Sequence, residues 1–144
     1  MGHPLGVERC GITDRGVQAL AESPHVAGIR DLCLCNRNGI ETGVPNEIGD
    51  PGAKALAASP NLGALADLDL WNTSVGDAGL EALVESPFLT RLASLTVWWT
   101  QVTQEGVDRI KAVEFERWKR ESEETLGAVL CWLHTDFDER IIEW

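Results

Sequence analysis

One stretch of sequence occurs three times in this chain of 144 residues, and this internal repeat restricts the possible folds more than any other feature. The copies share an Asp, a Gly two residues later and a closing Ser-Pro pair; they are GITDRGVQALAESPHV (11–26), EIGDPGAKALAASPNL (47–62) and SVGDAGLEALVESPFL (74–89). A fourth copy, QVTQEGVDRI (101–110), begins on the same pattern and then departs. Equivalent positions lie 27 residues apart, as from 48 to 75 and from 75 to 102. A fixed period of this length is typical of stacked units, so the sequence predicts a solenoid.

Each unit is expected to contain one strand and one helix. After each Ser-Pro pair the apolar residues follow the pattern L-x-x-L-x-L, and its last positions alternate with a period of two. That alternation predicts a short strand with one buried face. In the block before it, Asp14, Asp50 and Asp77 can each cap the helix that they begin, and the Ser-Pro pair ends the helix.

This combination resembles the leucine-rich repeat family over residues 4–113, and the long helical half is similar to the ribonuclease-inhibitor-like bacterial type. The resemblance implies an α/β fold, a right-handed solenoid or short horseshoe with a parallel sheet on the concave face and helices on the convex face. It also implies an Asn, Cys or Thr directly after each strand. Cys10, Thr73 and Thr100 match that position, and Asn36 and Asn38 are both candidates in the unit that carries an insertion.

Two regions are predicted. Residues 1–113 form the repeats, with a partial first unit and an insertion at 39–47 that is equally well explained as a partner contact or as a tolerated loop. Because the fourth unit lacks the Ser-Pro pair, its helix should continue, and residues 114–144 are expected to form a helical capping segment. Residues 135–144 fit either a short strand or more helix.

The register of the strands predicts which side chains face the concave surface. Trp71 and Trp98 should lie there, exposed on neighbouring strands, and Trp99 should lie at the rim where the chain turns away. Clustered exposed tryptophans beside acidic groups are typical of binding surfaces. The alternative is that the tryptophans pack within the chain, under the C-terminal tail. The predicted partner-binding residues, called the Trp/Asp patch below, are Asp31, Asp67, Asp69, Trp71, Asn72, Trp98 and Trp99.

Charge and composition limit the kinds of partner. The formal net charge is -11, the pI is about 4.6, and no run of Lys or Arg offers a track for phosphates, so nucleic acid is not expected. No apolar run is long enough to span a membrane and the first residues do not resemble a signal peptide, which favours a cytoplasmic protein. Four irregularly spaced cysteines fit reduced thiols better than a disulfide framework.

The sequence offers little chemistry, and we expect no enzyme, cofactor or metal. Cys131, His134 and Asp136 have the residue types of a nucleophilic site, but their apolar neighbours favour a core position. Cys33 and Cys35 share one face and could bind a metal with Asp31 or Asp69, although one Cys-x-Cys pair is a poor zinc site.

A non-catalytic scaffold for protein–protein interaction is therefore the favoured function, with a protein of unknown identity as partner. The alternatives are a thiol- or metal-dependent site on the same face, or a fragment of a longer repeat protein without a function of its own. The bare first strand, Leu5–Val7, also suggests a homo-oligomer formed through the N-terminal edge.

Overall fold

The computed structural model describes residues 4–36, 43–118 and 141–143. Strands and helices alternate from β1 to β4, as the repeat predicts, and a fifth strand follows. The elements are β1 (Pro4–Gly6), α1 (Asp14–Glu22), β2 (Asp31–Cys33), α2 (Asp50–Ala57), β3 (Asp67–Asp69), α3 (Asp77–Val84), β4 (Ser94–Thr96), α4 (Gln104–Trp118) and β5 (Ile141–Glu143). Short 3-10 helices, Pro24–Val26 and Pro60–Leu62, follow α1 and α2. Across these ranges we find no helix with the length and apolar character that crossing a membrane requires.

The strands form one sheet in the order β1-β2-β3-β4-β5, and the first four are parallel. Leu5 pairs with Leu32, Leu32 with Leu68, and Leu68 with Leu95, which is the predicted register. The leucine-rich-repeat type of α/β solenoid is thereby confirmed.

The end of the chain is described in part. Helix α4 continues to Trp118, past the point where the Ser-Pro pair ends the earlier helices. Strand β5 then pairs antiparallel with β4, so residues 141–143 are a strand and not a helix. Residues 119–140, with Cys131, His134 and Asp136, lie outside the described residues, and the capping role of 114–144 stays a prediction.

The core lies between the sheet and the helices. The central strand leucines, Leu32, Leu68 and Leu95, are at most 2% exposed, and Leu56 and Leu80 meet them from the helical layer with no exposed surface. A single unit could not bury both its strand and its helix. Stacking four units buries one continuous apolar layer, which stabilises the fold by about 25 cal/mol for each Å² removed from water.

The prediction that each aspartate caps its own helix is wrong, because each caps the helix of the following repeat. Helices α2 and α3 begin after Gly49 and Gly76, with no cap from a side chain of their own. Asp14 Oδ1 instead accepts hydrogen bonds from the backbone N–H groups of Gly49 and Gly52, at 2.8 and 2.9 Å. Stacking brings this carboxylate beside the positive end of the next helix, where an anion is favoured.

The same bonds recur along the stack. Asp50 Oδ1 accepts from the N–H groups of Gly76 and Gly79, at 2.7 and 3.0 Å. Asp77 accepts from both the N–H and the hydroxyl of Thr103, at 2.7 and 2.6 Å. Each helix start is therefore held by the preceding unit.

The repeated serine holds the other end of the helices. Ser59 donates its hydroxyl to the carbonyl of Ala21 at 2.6 Å, and Ser86 donates to the carbonyl of Ala57. Both carbonyls belong to the last turn of the preceding helix, where the helix itself provides no partner. The Asp, Gly and Ser of the repeat thus bond neighbouring units to one another.

Candidate binding groove on the concave face

The concave side of the sheet forms an open groove of about 310 Å³. Four carboxylates line it, and the part of the chain that the structure describes places no Lys or Arg in its wall. These carboxylates belong to Glu8, Asp31, Asp67 and Asp69. The three aspartates of the Trp/Asp patch therefore share one acidic surface, which we call the concave groove.

Asp31 and Asp67 are directly opposite each other on β2 and β3. Burial, a hydrogen bond with Asp31 and electrostatic repulsion from Asp31 raise the pKa of Asp67, and a hydrogen bond with Ser94 offsets part of this rise. Two like charges at facing positions of a sheet are destabilising. When both carboxyls are ionised, their repulsion lowers the free energy of unfolding.

Replacing Asp67 by asparagine should therefore stabilise the protein at neutral pH. The raised pKa means that the folded state holds the Asp67 proton more tightly than the unfolded state does. The free energy of unfolding therefore begins to fall as the pH rises through the unfolded-state pKa of about 3.9, and the loss is complete above the folded-state pKa. Because Asp67 is exposed and water screens the repulsion, we expect a gain of only about a few tenths of a kcal/mol at pH 7, which disappears near pH 3. Urea unfolding at both pH values measures it.

Asp31→Asn is the matched variant for this measurement. It should give a similar gain, and the double variant should give less than the sum, because either change removes the same repulsion. A gain of equal size at pH 7 and pH 3 would show that ionisation is not its cause.

Trp71 and Trp98 lie side by side, each two positions after the last groove residue of its strand. Their ring centroids are 6.1 Å apart with the planes at 62°, an edge-to-face contact. Asp69 Oδ1 accepts a hydrogen bond from the backbone N–H of Trp71 at 2.9 Å, which connects the tryptophan pair to the groove. The indoles are half-buried and not exposed, and each Nε1 is shielded from solvent with no acceptor among the described residues. The exposed part of each indole ring can therefore contact a partner, while the buried part packs within the protein.

Trp99 differs from its neighbour in both backbone and exposure. It is 67% exposed and has φ of 56°, in the left-handed region. Arg9 and Asn72 occupy the equivalent turns of other units and have φ of 46° and 56°. Asn adopts this conformation readily, whereas a bulky side chain does so at a cost of roughly 1 kcal/mol. The adjacent tryptophans are thus in different environments: Trp98 is half-buried beside Trp71, whereas Trp99 is exposed in a left-handed turn.

Asn72 lies in a ladder of side-chain amides between turns. Its Nδ2 donates to the Asn36 carbonyl at 3.0 Å, and Asn36 Nδ2 donates to the Asn72 carbonyl at 2.9 Å. These bonds give Asn72 a structural role in addition to its predicted place in the patch. Asn36 is equivalent to Asn72 and does not fill the turn position for which the sequence left Asn36 and Asn38 open. The N–H groups of Glu47, Ser74 and Gln101 donate to equivalent carbonyls of the preceding units, which aligns Asn46 with Thr73 and Thr100.

Asn46 is the residue that the sequence reasoning missed. It is buried, and its Oδ1 accepts from the N–H groups of Cys10 and Ile12 at 3.0 and 3.1 Å. Its Nδ2 donates to the carbonyls of Val7 and Leu34 at 2.8 and 3.0 Å. The end of the 39–47 insertion thus bonds two strands together. The signal in the sequence was an Asn close to the turn position that follows each strand, but the 39–47 insertion concealed that Asn46 aligns with this position in the other units.

The thiols of Cys33 and Cys35 are 2.8 Å apart. Cys33 Sγ also donates to Glu8 Oε1 at 3.4 Å and lies 3.8 Å from Asp69 Oδ2. Cys35 has no exposed surface, although the sequence placed it on the open face. Burial, with a hydrogen bond to Cys35, raises the pKa of the Cys33 thiol far above its usual value. A neutral thiol is a poor nucleophile, so this pair does not resemble the centre of a thiol enzyme. Asp31 does not join this cluster, which Glu8 completes.

Comparison with known proteins agrees with this geometry. Residues 5–21 and 46–57 match a family model described as Leucine Rich repeat. No curated protein gives a significant match. The first matched range spans β1 to α1, and the second runs from Asn46 to the end of α2. Together with four parallel strands that alternate with helices, these matches support the assignment of the chain to a leucine-rich repeat family.

Proposed function

We propose that this protein is a non-catalytic scaffold of the ribonuclease-inhibitor-like bacterial type, and that its concave groove and Trp/Asp patch bind a protein segment rich in Lys or Arg. Leucine-rich repeat domains generally serve as protein-interaction scaffolds. The observation that carries the basic partner is the groove itself, with four carboxylates in its wall and no Lys or Arg among its described residues.

Electrostatics and the aromatic pair support the same partner. A cleft lined by charge of one sign concentrates the field and raises the rate at which an oppositely charged ligand arrives. Trp71 and Trp98 lie next to the groove, and an indole face attracts a Lys or Arg side chain by about 0.5–1 kcal/mol when exposed and more when water is excluded. The affinity of such a complex should fall as salt concentration rises.

Trp99 provides the strongest reason to include the turn after β4, at the rim of the concave face, in the proposed binding surface. A tryptophan that is 67% exposed in a left-handed turn stabilises neither the core nor the backbone. The equivalent Asn72 shows that the fold accepts a residue better suited to this conformation. Strained backbone at an exposed aromatic is typical of binding positions, so Trp99 belongs in the proposed contact.

Trp99→Asn tests the proposal, because it copies the neighbouring unit. A photoreactive amino acid at position 99 first identifies the bound protein by crosslinking and mass spectrometry. We then expect the variant to weaken that complex by about 2 kcal/mol, roughly 30-fold in Kd, because tryptophan is enriched among binding hot spots. The melting temperature should stay the same or rise, since the turn is relieved of strain.

Phe88→Asn is the control. Phe88 is also an exposed aromatic residue, at 39%, but it lies outside the patch between α3 and β4. Its replacement should leave Kd unchanged. If Trp99→Asn binds as tightly as the natural chain, the rim contact is wrong, and a bound segment without Lys or Arg would refute the basic partner.

Two further parts of the proposal concern location and assembly. The described cysteines form no disulfide with one another, which supports a reducing, cytoplasmic environment. Leu5 and Val7 at the β1 edge are only half-buried, which supports association of two copies through this edge.

A further inference from the structure

The floor of the concave groove brings together three groups that bind metals. The carboxylate of Glu8 and the thiols of Cys33 and Cys35 have ligand atoms that all lie within 4.8 Å of one another. Glu8 follows β1, whereas the two cysteines come from β2 and the residues after it. The sheet pairing of β1 with β2 is what brings the carboxylate to the thiols.

We propose that Glu8, Cys33 and Cys35 form a binding site for a thiophilic divalent cation, with zinc as the best fit. Zinc is bound in proteins by Cys sulfur and by carboxylate oxygen, usually with four ligands. Three protein ligands leave a fourth position for water or for Asp69, whose Oδ2 lies 3.8 Å from Cys33 Sγ. Two sulfur ligands favour zinc over magnesium or calcium, which prefer oxygen alone.

The distances require only a small adjustment. Tetrahedral zinc with bonds of about 2.3 Å to sulfur and about 2.1 Å to oxygen separates an S and an O ligand by roughly 3.6 Å. Cys33 Sγ and Glu8 Oε1 are 3.4 Å apart. The two thiols, at 2.8 Å, must separate to roughly 3.8 Å. Cys33 is half-buried and borders the open groove, so rotation of its side chain can provide this change.

The surrounding charge favours a cation. On binding, each thiol releases its proton to solvent, and the two thiolates then lie beside the carboxylates of Glu8 and Asp69. No Lys or Arg lines the groove within the described ranges, so the divalent ion itself offsets two of these four negative charges. Glu8 and Cys33 also line the concave groove, but the site can be tested apart from the proposed protein partner, because Trp99 is not one of the three ligands.

Metal titration of the full chain, reduced and freed of metal, tests the site. Cobalt is the spectroscopic probe, and we expect one ion per chain, a near-ultraviolet band from thiolate-to-cobalt charge transfer, and loss of that band when zinc is added. Cys33→Ser and Glu8→Gln should weaken binding by about 100-fold or more, since even partners outside the first shell contribute about 10–100-fold. Cys10→Ser is the matched control that should bind normally.

A second measurement needs no variant. Zinc should protect Cys33 and Cys35 of the natural chain from alkylation, as measured by mass spectrometry, while Cys10, which is exposed, stays reactive. Persistence of the cobalt band in Cys33→Ser, unchanged affinity in Glu8→Gln, or equal alkylation with and without zinc would each overturn the site. A reduced chain that binds no ion but forms a Cys33–Cys35 disulfide with oxidised glutathione would overturn it as well. Trp99→Asn should bind the ion normally, so the two proposals fail separately.

Discussion

Replacing Asn46 by alanine should lower the free energy of unfolding by about 3 kcal/mol or more. The amide makes four hydrogen bonds to backbone groups of the first two units, two as acceptor and two as donor. Alanine leaves those groups without a partner where the side chain is only 4% exposed. Each buried polar group left unpaired costs about 1–3 kcal/mol, and water can replace only part of the loss. Urea unfolding followed by circular dichroism measures the change.

Two further variants show whether hydrogen bonds are the cause. Asn46→Asp keeps the shape and the acceptor for Cys10 and Ile12 but places a buried carboxylate oxygen against the carbonyls of Val7 and Leu34, so at pH 7 it should destabilise the protein at least as much as alanine. Asn61→Ala removes an amide with two long bonds of 3.3 Å and should cost clearly less. Equal losses for Asn46→Ala and Asn61→Ala would contradict the special role of Asn46.

Gly79→Ala should destabilise the protein by about 2–3 kcal/mol. A Cβ at this position would lie 2.6 Å from Asp50 Oδ1 and 2.9 Å from both Ala53 Cβ and Val75 Cγ1. None of these atoms is the far end of a long flexible side chain, so the clash cannot be relieved by a simple rotation. Displacing Asp50 also removes its bonds to the start of α3. Thermal and urea unfolding both report this loss.

Gly28→Ala is the control for that experiment. A Cβ at Gly28 would meet nothing within 4 Å, so the change should be close to neutral or slightly stabilising, because alanine restricts the unfolded chain. If both substitutions have the same effect, the close contact with Asp50 is not what requires glycine at position 79.

The strand register could be predicted to the residue from the sequence. Strand side chains alternate with a period of two and the units repeat every 27 residues apart from one insertion of nine, so one correct alignment of Leu32, Leu68 and Leu95 fixes the whole parallel sheet. The direction of the helix caps could not be predicted. An Asp at a helix start has the same sequence signature whether it bonds its own helix or the next one, and only the stacking distance between units decides.

The acidic residues of the concave groove were also predicted from the repeat. Position within the repeat determines which face a residue is on, and it placed Asp31, Asp67 and Asp69 in one groove. It does not determine how deeply a residue is covered, because that depends on the neighbouring units. Cys35 and Trp71 hold equivalent positions, yet Cys35 has no exposed surface and Trp71 is half-buried. The contact of Glu8 with the thiols depends on pairing between strands and has no signature within one repeat.

The aspartates that cap the following helix give the solenoid a direction. Asp14 is in place before α2 is made, Asp50 before α3 and Asp77 before α4, because each cap precedes in sequence the helix that it stabilises. A chain that emerges from the ribosome N-terminus first therefore presents a capping carboxylate to each of these three helices as it is made. The start of each of these helices therefore needs no later sequence, whereas the last turns of α1 and α2 gain their bonds only when Ser59 and Ser86 of the following units are made.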